Sequence, residues 1–156
     1  MQWKTILPLK HKFLTAYFRT ADAFARLSSA KKLQVGCIIV KDDRIISIGY
    51  NGTPSGANNV CETITSVELD GTPVYKTKPE VLHAETNAIS KLARSSESGL
   101  DAYMICTHAP CLECAKLIYQ TGIAYVYYRE EYRSREGIKL LEQLGVKVIK
   151  YNNSYG

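Results

Sequence analysis

The amino-acid sequence predicts a single α/β domain, residues 1–156, in which helices cover both faces of a β-sheet. The chain has 156 residues, of which 46% are hydrophobic and 22% charged. This length is enough for one hydrophobic core but short for two. Along the second half, segments with helical periodicity alternate with runs of β-branched and aromatic residues. No internal repeat or low-complexity tract marks a second domain.

The first half predicts one helix, a β-hairpin and a long loop. Apolar residues recur at helical spacing from about residue 9 to residue 27, which predicts an amphipathic helix. The runs VGCIIV (35–40) and RIISIGY (44–50) predict two strands joined by a tight turn. Residues 51–80 are rich in Asn, Gly, Pro, Ser and Thr without a sustained period, so we expect a long functional or mobile loop.

The second half predicts three helices that alternate with three strands. In chain order we expect a helix at 84–94, a strand at 102–106, a helix at 111–120, a strand at 123–128, a helix at 134–144 and a strand at 146–151. Gly122 and Gly145 follow the last two helices, as is typical of residues that end a helix.

Composition and charge exclude several classes of protein. No stretch reaches the ~18 apolar residues of a membrane span, and Pro8 interrupts an N-terminal apolar run too short for a secretory signal. Five cysteines, an odd and sparse set, indicate thiols in a reducing compartment, so we expect a cytoplasmic protein. The net charge of +5 is dispersed, which suits a small anionic ligand at least as well as nucleic acid. We therefore expect neither a membrane nor a nucleic acid as partner.

The stretch PCLEC, residues 110–114, places two cysteines at the predicted start of a helix. Pro110 suits the first helical turn, so Cys111 and Cys114 project from one side of it, where the field of the helix N-terminus favours the thiolate. The pair alone is compatible with metal or redox use and equally with burial in the core. A structural zinc needs four protein ligands, whereas a catalytic zinc needs three and a water molecule.

The stretch VLHAETNAI offers a partner for this pair. Of the three histidines, His11 is expected at the surface or its boundary, and His108 is too near the cysteines in sequence to close a tetrahedron easily. In a helix from residue 84, Glu85 falls within the apolar stripe, where an unpaired carboxylate costs several kcal/mol. Glu85 therefore indicates a functional role or an ion pair with an unidentified Lys or Arg. His83 reaches the same site only from the helix cap.

The combination His-x-Glu, followed downstream by Pro-Cys-x-x-Cys, resembles the signature of the zinc-dependent nucleobase deaminases. The resemblance implies one catalytic Zn²⁺ per chain, held by His83, Cys111 and Cys114, with Glu85 as the catalytic acid and base. Zinc lowers the pKa of bound water from about 15.7 toward 7. In such enzymes the hydroxide attacks C4 of a cytosine ring, while the glutamate moves a proton to N3 and then to the leaving ammonia.

Further stretches resemble the deoxycytidylate (dCMP) deaminases in particular. They are GYNGTPSG (49–56), HAETNAI (83–89), CAKLIYQTGI (114–123) and the triplet Glu131, Tyr132 and Arg133, and the likeness covers most of residues 14–150. The resemblance implies a three-layer α/β/α cytidine-deaminase-like fold with a central five-stranded mixed sheet. It also implies hydrolytic deamination of dCMP to dUMP, a step that feeds dTTP synthesis.

The resemblance further implies which residues bind the substrate. Asn51 would hold the sugar hydroxyl, and Ala84 would contact the nucleotide. Tyr132 and Arg133 would meet the 5′-phosphate.

Assembly and regulation are implied in the same way. Members of this family are commonly hexamers that dCTP activates and dTTP inhibits, with Mg²⁺ accompanying the nucleotide. The residues that would serve the regulatory site are Gly49, Asn51, Gly52, Gly56 and Arg94. A glycine-rich turn and a surface arginine are the simpler interpretations. The stretch RLSSAKKLQ (26–34) departs from the family's more arginine-rich pattern, and Cys61 lacks the histidine that a second, structural zinc would need.

Three alternatives stay open at this point. One is an enzyme that deaminates dCTP as well as dCMP. The space around Arg133 would decide whether the longer phosphate chain fits. Another is a non-catalytic zinc-stabilised module, with Cys106 or His108 as a fourth ligand and a structural Glu85. The third is a nucleic-acid-editing deaminase, which the dispersed charge disfavours.

Overall fold

The structure, a computed structural model, describes residues 5–152 and has a five-stranded sheet at its centre. In chain order the elements are α1 (His11–Ala25), β1 (Gly36–Lys41), β2 (Arg44–Tyr50), β3 (Glu62–Val67), β4 (Pro73–Thr77), α2 (Ala84–Ala93), β5 (Tyr103–His108), α3 (Leu112–Gln120), β6 (Tyr125–Glu130), α4 (Glu136–Gln143) and β7 (Lys147–Lys150). The strand order is β2-β1-β5-β6-β7. Strand β1 is antiparallel to β2 and β5, whereas β5, β6 and β7 are parallel. The expected mixed sheet is confirmed.

Helices cover both faces of this sheet, as the sequence predicts. Side chains alternate along β1, so Ile38 and Val40 pack with Phe18 of α1 on one face. Cys37 and Ile39 belong to the core on the other face, which includes residues of α2, α3 and α4. The three layers are therefore α1, the sheet, and the group formed by α2, α3 and α4.

The helices are short and begin close to their expected starts. They have 15, 10, 9 and 8 residues, and none in the described part of the chain is long and apolar enough to cross a membrane. Helix α3 begins at Leu112, with Cys111 as its N-cap, and α4 begins two residues later than expected, at Glu136.

The expectation of a structureless loop over residues 51–80 is wrong, because β3 and β4 form an antiparallel hairpin within it. Gly71 takes a positive φ of 90° in the turn, where the Asp70 carboxylate accepts the backbone N–H of Thr72 at 2.9 Å. The hairpin lies outside the central sheet and most of its side chains are exposed. It therefore lacks the buried apolar alternation by which strands are usually recognised.

The direction of β1 brings four connections to one edge of the sheet. Cys37, near the start of β1, lies opposite Gly49 near the end of β2 and opposite Cys106 near the end of β5. Since β5 and β6 are parallel, His108 and Glu130 mark the ends of both strands at the same edge. The segment before β1 and the segments after β2, β5 and β6 therefore meet there.

Gly49 allows α2 to lie directly on β2. A Cβ atom at this position would be 2.2 Å from the carbonyl oxygen of Ala84 and 2.6 Å from the backbone nitrogen of Ala88. On the same strand the Ser47 hydroxyl donates to the Ala88 carbonyl at 2.7 Å. The close contact therefore lies in the first turns of α2, which begins at Ala84.

We expect Gly49→Ala to destabilise the fold by about 1–3 kcal/mol, because the added methyl group forces α2 away from β2. Gly52→Ala is the matched control, since no heavy atom lies within 4 Å of a Cβ atom there, and its effect should stay within about 0.5 kcal/mol. Urea unfolding of the two variants measures the difference. Equal stabilities would contradict the proposed packing constraint.

His108, the last residue of β5, is a half-buried titratable group. Its Nδ1 atom lies 2.8 Å from the hydroxyl of Thr107. Burial is the main reason that the pKa of His108 is lowered below its ordinary value, and the Arg129 guanidinium lowers it further. The carboxylates of Glu130 and Asp22 raise this pKa but do not reverse the change. The fold therefore favours the neutral imidazole.

We expect this histidine to make the folded state less stable in acid. Because the pKa of His108 is lower in the folded state, its contribution is present above about pH 6.5 and is lost as the pH falls below that value. His108→Gln can keep a hydrogen bond to Thr107 and should flatten this part of the pH dependence. Urea unfolding between about pH 5 and pH 8, with a chelator present throughout so that metal loss does not contribute, measures the effect. Parallel curves for the two proteins would disprove the assignment.

Candidate metal centre and active-site cavity

Three potential metal ligands meet where α2 and α3 begin. His83 is the N-cap of α2, with an extended backbone at φ −72° and ψ 157°. Cys111 is the N-cap of α3, and Cys114 lies in the first turn of that helix. The Nδ1 atom of His83 is 3.4 Å from the Sγ atom of Cys111 and 3.3 Å from that of Cys114. The structure thus brings together the three residues that the sequence predicts as ligands.

The chemistry and spacing of this group fit zinc. Tetrahedral zinc, with Zn–S of about 2.3 Å and Zn–N of about 2.0 Å, places its nitrogen and sulfur ligands about 3.5 Å apart. Thiolate and imidazole are donors that zinc commonly takes. Cys114 is buried, Cys111 is half-buried and His83 is exposed, so the group is accessible on the histidine side. Within residues 5–152 no fourth His, Cys, Asp or Glu belongs to this group. A catalytic zinc site likewise has three protein ligands.

The start of α3 stabilises a thiolate. The Sγ atom of Cys111 accepts the backbone N–H of Cys114 at 3.5 Å, as the side chain of an N-cap residue does. Hydrogen bonds from the Cys114 thiol and from His83 lower the pKa of Cys111 to about 4. The contact with Cys111 raises the pKa of Cys114 and also that of His83. Negative charge is therefore concentrated on Cys111, next to the imidazole.

Glu85 lies beside the ligands without belonging to them. It is the second residue of α2, is 4% exposed, and has its Oε2 atom 3.8 Å from the Sγ atom of Cys114. Within the described chain no lysine or arginine forms an ion pair with it, so the alternative of a structural ion pair is not found. Burial raises the pKa of Glu85 to about 7, against the opposing effect of His83. The carboxyl group can therefore gain and lose a proton near neutral pH.

A cavity of about 700 Å³ opens onto His83, Cys111 and Glu85. This volume is in the range of small-molecule sites. The segment before β1, the ends of β3 and β4, and the loops after β2, β5 and β6 form its wall. All four residues predicted to bind substrate line this cavity, namely Asn51, Ala84, Tyr132 and Arg133.

Asn51 also fastens the wall of the cavity. Its Oδ1 atom accepts the backbone N–H of Val35 at 2.8 Å, and its Nδ2 atom donates to the carbonyl of Leu33 at 2.7 Å. The carbonyl of Asn51 accepts the Ser28 hydroxyl at 2.7 Å. One N–H and one lone pair of the amide are left over for a ligand.

Tyr132 and Arg133 follow β6 and lie together at the cavity. The guanidinium carbon of Arg133 is 5.4 Å from the centre of the Tyr132 ring. The Tyr132 ring packs against a small core of Ala109, Tyr128 and Ile138. The charge of Arg133 lowers the pKa of His83, against the larger effect of Cys111, so its field reaches the ligands.

The residues predicted to bind a regulatory nucleotide are not part of the cavity wall, apart from Asn51. Gly49 is buried under α2, and the backbone N–H groups of Asn51 and Gly52 donate to the carbonyls of Val35 and Leu82. Gly56 has a positive φ of 90° with open space around its Cα atom. Arg94 is the exposed C-cap of α2. Their regulatory role stays a prediction.

Besides His108, five polar residues of the wall were not among the predicted site residues: Lys32, Glu62, Thr77, Glu130 and Glu131. Glu62 and Thr77 lie opposite each other in the register of β3 and β4. They reach the cavity because the hairpin packs on the segment before β1. The β-branched residues of 62–67 were the available signal for the hairpin, but no local pattern indicates the cavity.

The other histidines and cysteines lie apart from the ligand group. His11 stacks on Tyr151 with ring centres 5.5 Å apart, and His108 lines the cavity without joining the ligands. Cys106 and Cys37 face each other with their sulfur atoms 3.3 Å apart and are fully buried. Neither Cys106 nor His108 is therefore a fourth ligand in this structure.

Several known proteins are similar to this chain in sequence, in fold or in both. The deoxycytidylate deaminase of Saccharomyces cerevisiae is 35% identical over 151 residues, which is 96% of this chain and 48% of the yeast protein. The deoxycytidylate deaminase of Schizosaccharomyces pombe is 34% identical over 140 residues, which is 86% of this chain and 42% of that protein. This chain thus spans about half the length of these two relatives.

Among solved structures, the dCMP deaminase of cyanophage S-TIM5, in complex with dCMP and dUMP, superposes with a TM-score of 0.81. It is 46% identical in sequence, and the match covers 92% of this chain and 100% of the phage chain. Residues 11–130 match the family described as the cytidine and deoxycytidylate deaminase zinc-binding region. That segment contains all three ligands and Glu85, and the chain belongs to this family.

Proposed function

We propose that this chain is a zinc-dependent hydrolase that converts dCMP to dUMP and releases ammonia, a step that feeds dTTP synthesis in the cytoplasm. The observation that carries the proposal is the buried carboxyl group of Glu85, which no lysine or arginine of the described residues pairs, beside a His-Cys-Cys group at an open cavity. The names of the two yeast relatives and the dCMP and dUMP bound by the 46% identical phage enzyme support this choice of substrate.

Glu85 would carry out the proton transfers of the reaction. Zinc bound by His83, Cys111 and Cys114 would supply a water molecule whose pKa is lowered from about 15.7 toward 7. Glu85 takes a proton from the attacking water and delivers it to N3 of the cytosine ring. A second transfer through Glu85 moves the proton of the new C4 hydroxyl group to the amino group, so that the C4–N bond breaks and ammonia leaves as the C4 carbonyl forms. A carboxyl group with a pKa of about 7 is suited to both directions of transfer.

The residues around the cavity would orient the nucleotide. Asn51 offers its remaining amide N–H and lone pair to the sugar hydroxyl. Ala84 lies at the start of α2, where backbone N–H groups have no partner within the helix, and can donate to the ring. Arg133, held against Tyr132, would bind the 5′-phosphate.

The proposal includes regulation in a homo-hexamer, with activation by dCTP and inhibition by dTTP, each with Mg²⁺. Gly49, Asn51, Gly52, Gly56 and Arg94 are the residues proposed for it. The exposure of Gly56 and of Arg94 supports this proposal, because both residues are accessible to a nucleotide. An enzyme that also accepts dCTP is the second candidate, because Arg133 is exposed at the cavity and leaves room for a longer phosphate chain.

The first test removes the carboxylate and keeps its shape. We expect Glu85→Gln to retain one zinc per chain and its thermal stability while the rate of ammonia release falls about 10²–10⁴-fold, because the amide cannot transfer protons. Glu113→Gln is the matched control, since Glu113 lies between the two cysteine ligands but is exposed and paired with Lys116. Its activity should stay within about twofold. An unchanged rate in Glu85→Gln would sink the proposed mechanism.

The second test addresses substrate and regulation together. We expect dCMP to be deaminated faster than dCTP, CMP or deoxycytidine when the four are compared at equal concentration. The rate should rise sigmoidally with dCMP, become hyperbolic with dCTP and fall with dTTP. Size-exclusion chromatography with light scattering should give a hexamer. A hyperbolic curve that neither nucleotide alters would exclude the proposed regulation but not the proposed deaminase activity.

A further inference from the structure

The segment before β1 is held to the cavity by a buried carboxylate that belongs to the hairpin. One oxygen of Glu62 accepts the backbone N–H of Lys31 at 2.8 Å and that of Lys32 at 3.2 Å. Glu62 is 7% exposed, and in the described chain no lysine or arginine side chain pairs with it. Two successive N–H groups thus enclose one anionic oxygen, which fixes the backbone at both lysines.

The two lysine side chains take different paths from this fixed point. The ammonium of Lys31 lies 5.2 Å from the centre of the Tyr75 ring, on β4. Lys32, by contrast, lines the cavity that contains the metal ligands. The Ser29 hydroxyl donates to the carbonyl of Asn59 at 2.7 Å and ties the same segment to the residues before β3. Lys32 is therefore the lysine of this segment that borders the cavity.

The acidic side chains at the cavity already have cationic or N–H partners, with the exception of Glu85. Glu130 pairs with Arg129 at 3.2 Å. Glu131 pairs with Arg135 at 3.3 Å and Lys150 at 3.1 Å. Glu62 is occupied by the two backbone N–H groups. Arg129, which also pairs with Asp22, together with Arg135 and Lys150 thus balances the charges of Asp22, Glu130 and Glu131, whereas Glu62 keeps its negative charge because its N–H partners are neutral.

Lys32 and Arg133 are different, because neither has an ion-pair partner within residues 5–152. They come from separate segments, one before β1 and one after β6, and both line the cavity. A phosphate monoester carries about 1.5 to 2 negative charges at neutral pH. Two cations without ion-pair partners at one cavity can bind a group of that charge.

We propose that Lys32 is the second cation that recognises the 5′-phosphate, and that Glu62 is a positioning residue that holds Lys32 at the cavity. The proposal rests on the proposed function and names nucleoside 5′-monophosphates as the class that the cavity selects over nucleosides. Lys32 acts by direct contact with the phosphate, whereas Glu62 acts through the backbone of Lys32.

The test compares two adjacent lysines. In Lys32→Met, the ratio of kcat/KM for dCMP to kcat/KM for deoxycytidine should fall about 10- to 100-fold, because a charge-assisted hydrogen bond is lost. Lys31→Met is the matched control and should leave the ratio within about twofold. Calorimetric titration with dUMP and with deoxyuridine should show the same loss of selectivity in binding. If the wild-type protein deaminates dCMP and Lys32→Met leaves this ratio unchanged, the inference about Lys32 is overturned and the proposed function is not. If the wild-type protein has no deaminase activity, the proposed function is overturned.

The role of Glu62 has its own test. Glu62→Gln keeps an oxygen acceptor for the two N–H groups and should retain most of the selectivity, whereas Glu62→Ala should raise KM for dCMP with little change in kcat. If Glu62 acts through Lys32, the double variant Glu62→Ala/Lys32→Met should be no less selective than Lys32→Met. Additive losses, or equal losses in the Gln and Ala variants, would show that Glu62 does not position Lys32.

Discussion

The structure depends on the meeting of two helix N-termini at one edge of the sheet. The starts of α2 and α3 each present backbone N–H groups without intrahelical partners and the positive end of a helix dipole. At this point the chain places two cysteines and a buried carboxyl group, which would repel one another as anions. The two helix ends offset part of that repulsion, and a divalent cation would offset the rest.

Close packing behind the helix starts keeps them in place. Gly49 lets β2 approach the first turn of α2, as described above. Gly137 plays the corresponding part on the other side, because a Cβ atom there would be 2.3 Å from the carbonyl oxygen of Pro110 and 2.7 Å from that of Cys111. The ligand geometry therefore follows from backbone contacts of neighbouring elements, and side chains larger than hydrogen at these two positions would separate the ligands.

The parts of the site that are local in sequence could be predicted, and the parts that depend on tertiary contacts could not. His83 and Glu85 are two residues apart and the cysteines three, so each pair is local in sequence, and the resemblance to the deaminase signature joined the two pairs. The alternation of helices and strands predicted the central sheet. Glu62 could not be placed, because the hairpin that carries it is mostly exposed and has no apolar period. The two hydrogen bonds of Asn51 to the segment before β1 likewise have no signature in the sequence.

Because β1 is antiparallel to β2 and β5, the strand residues that form the core and the connections that border the cavity lie in different parts of the chain. The strands pair through their backbones and pack through side chains on their faces, whereas the connections that border the cavity lie beyond the strand ends. Substitutions at exposed positions of those connections, such as Lys32 and Arg133, leave the core contacts unchanged. The proposed reaction is thus tied to two helix starts, because a shift of either would separate the residues that would hold the metal. The proposed recognition is distributed over several loops, which the hydrogen bonds of Asn51 and Glu62 join to the segment before β1.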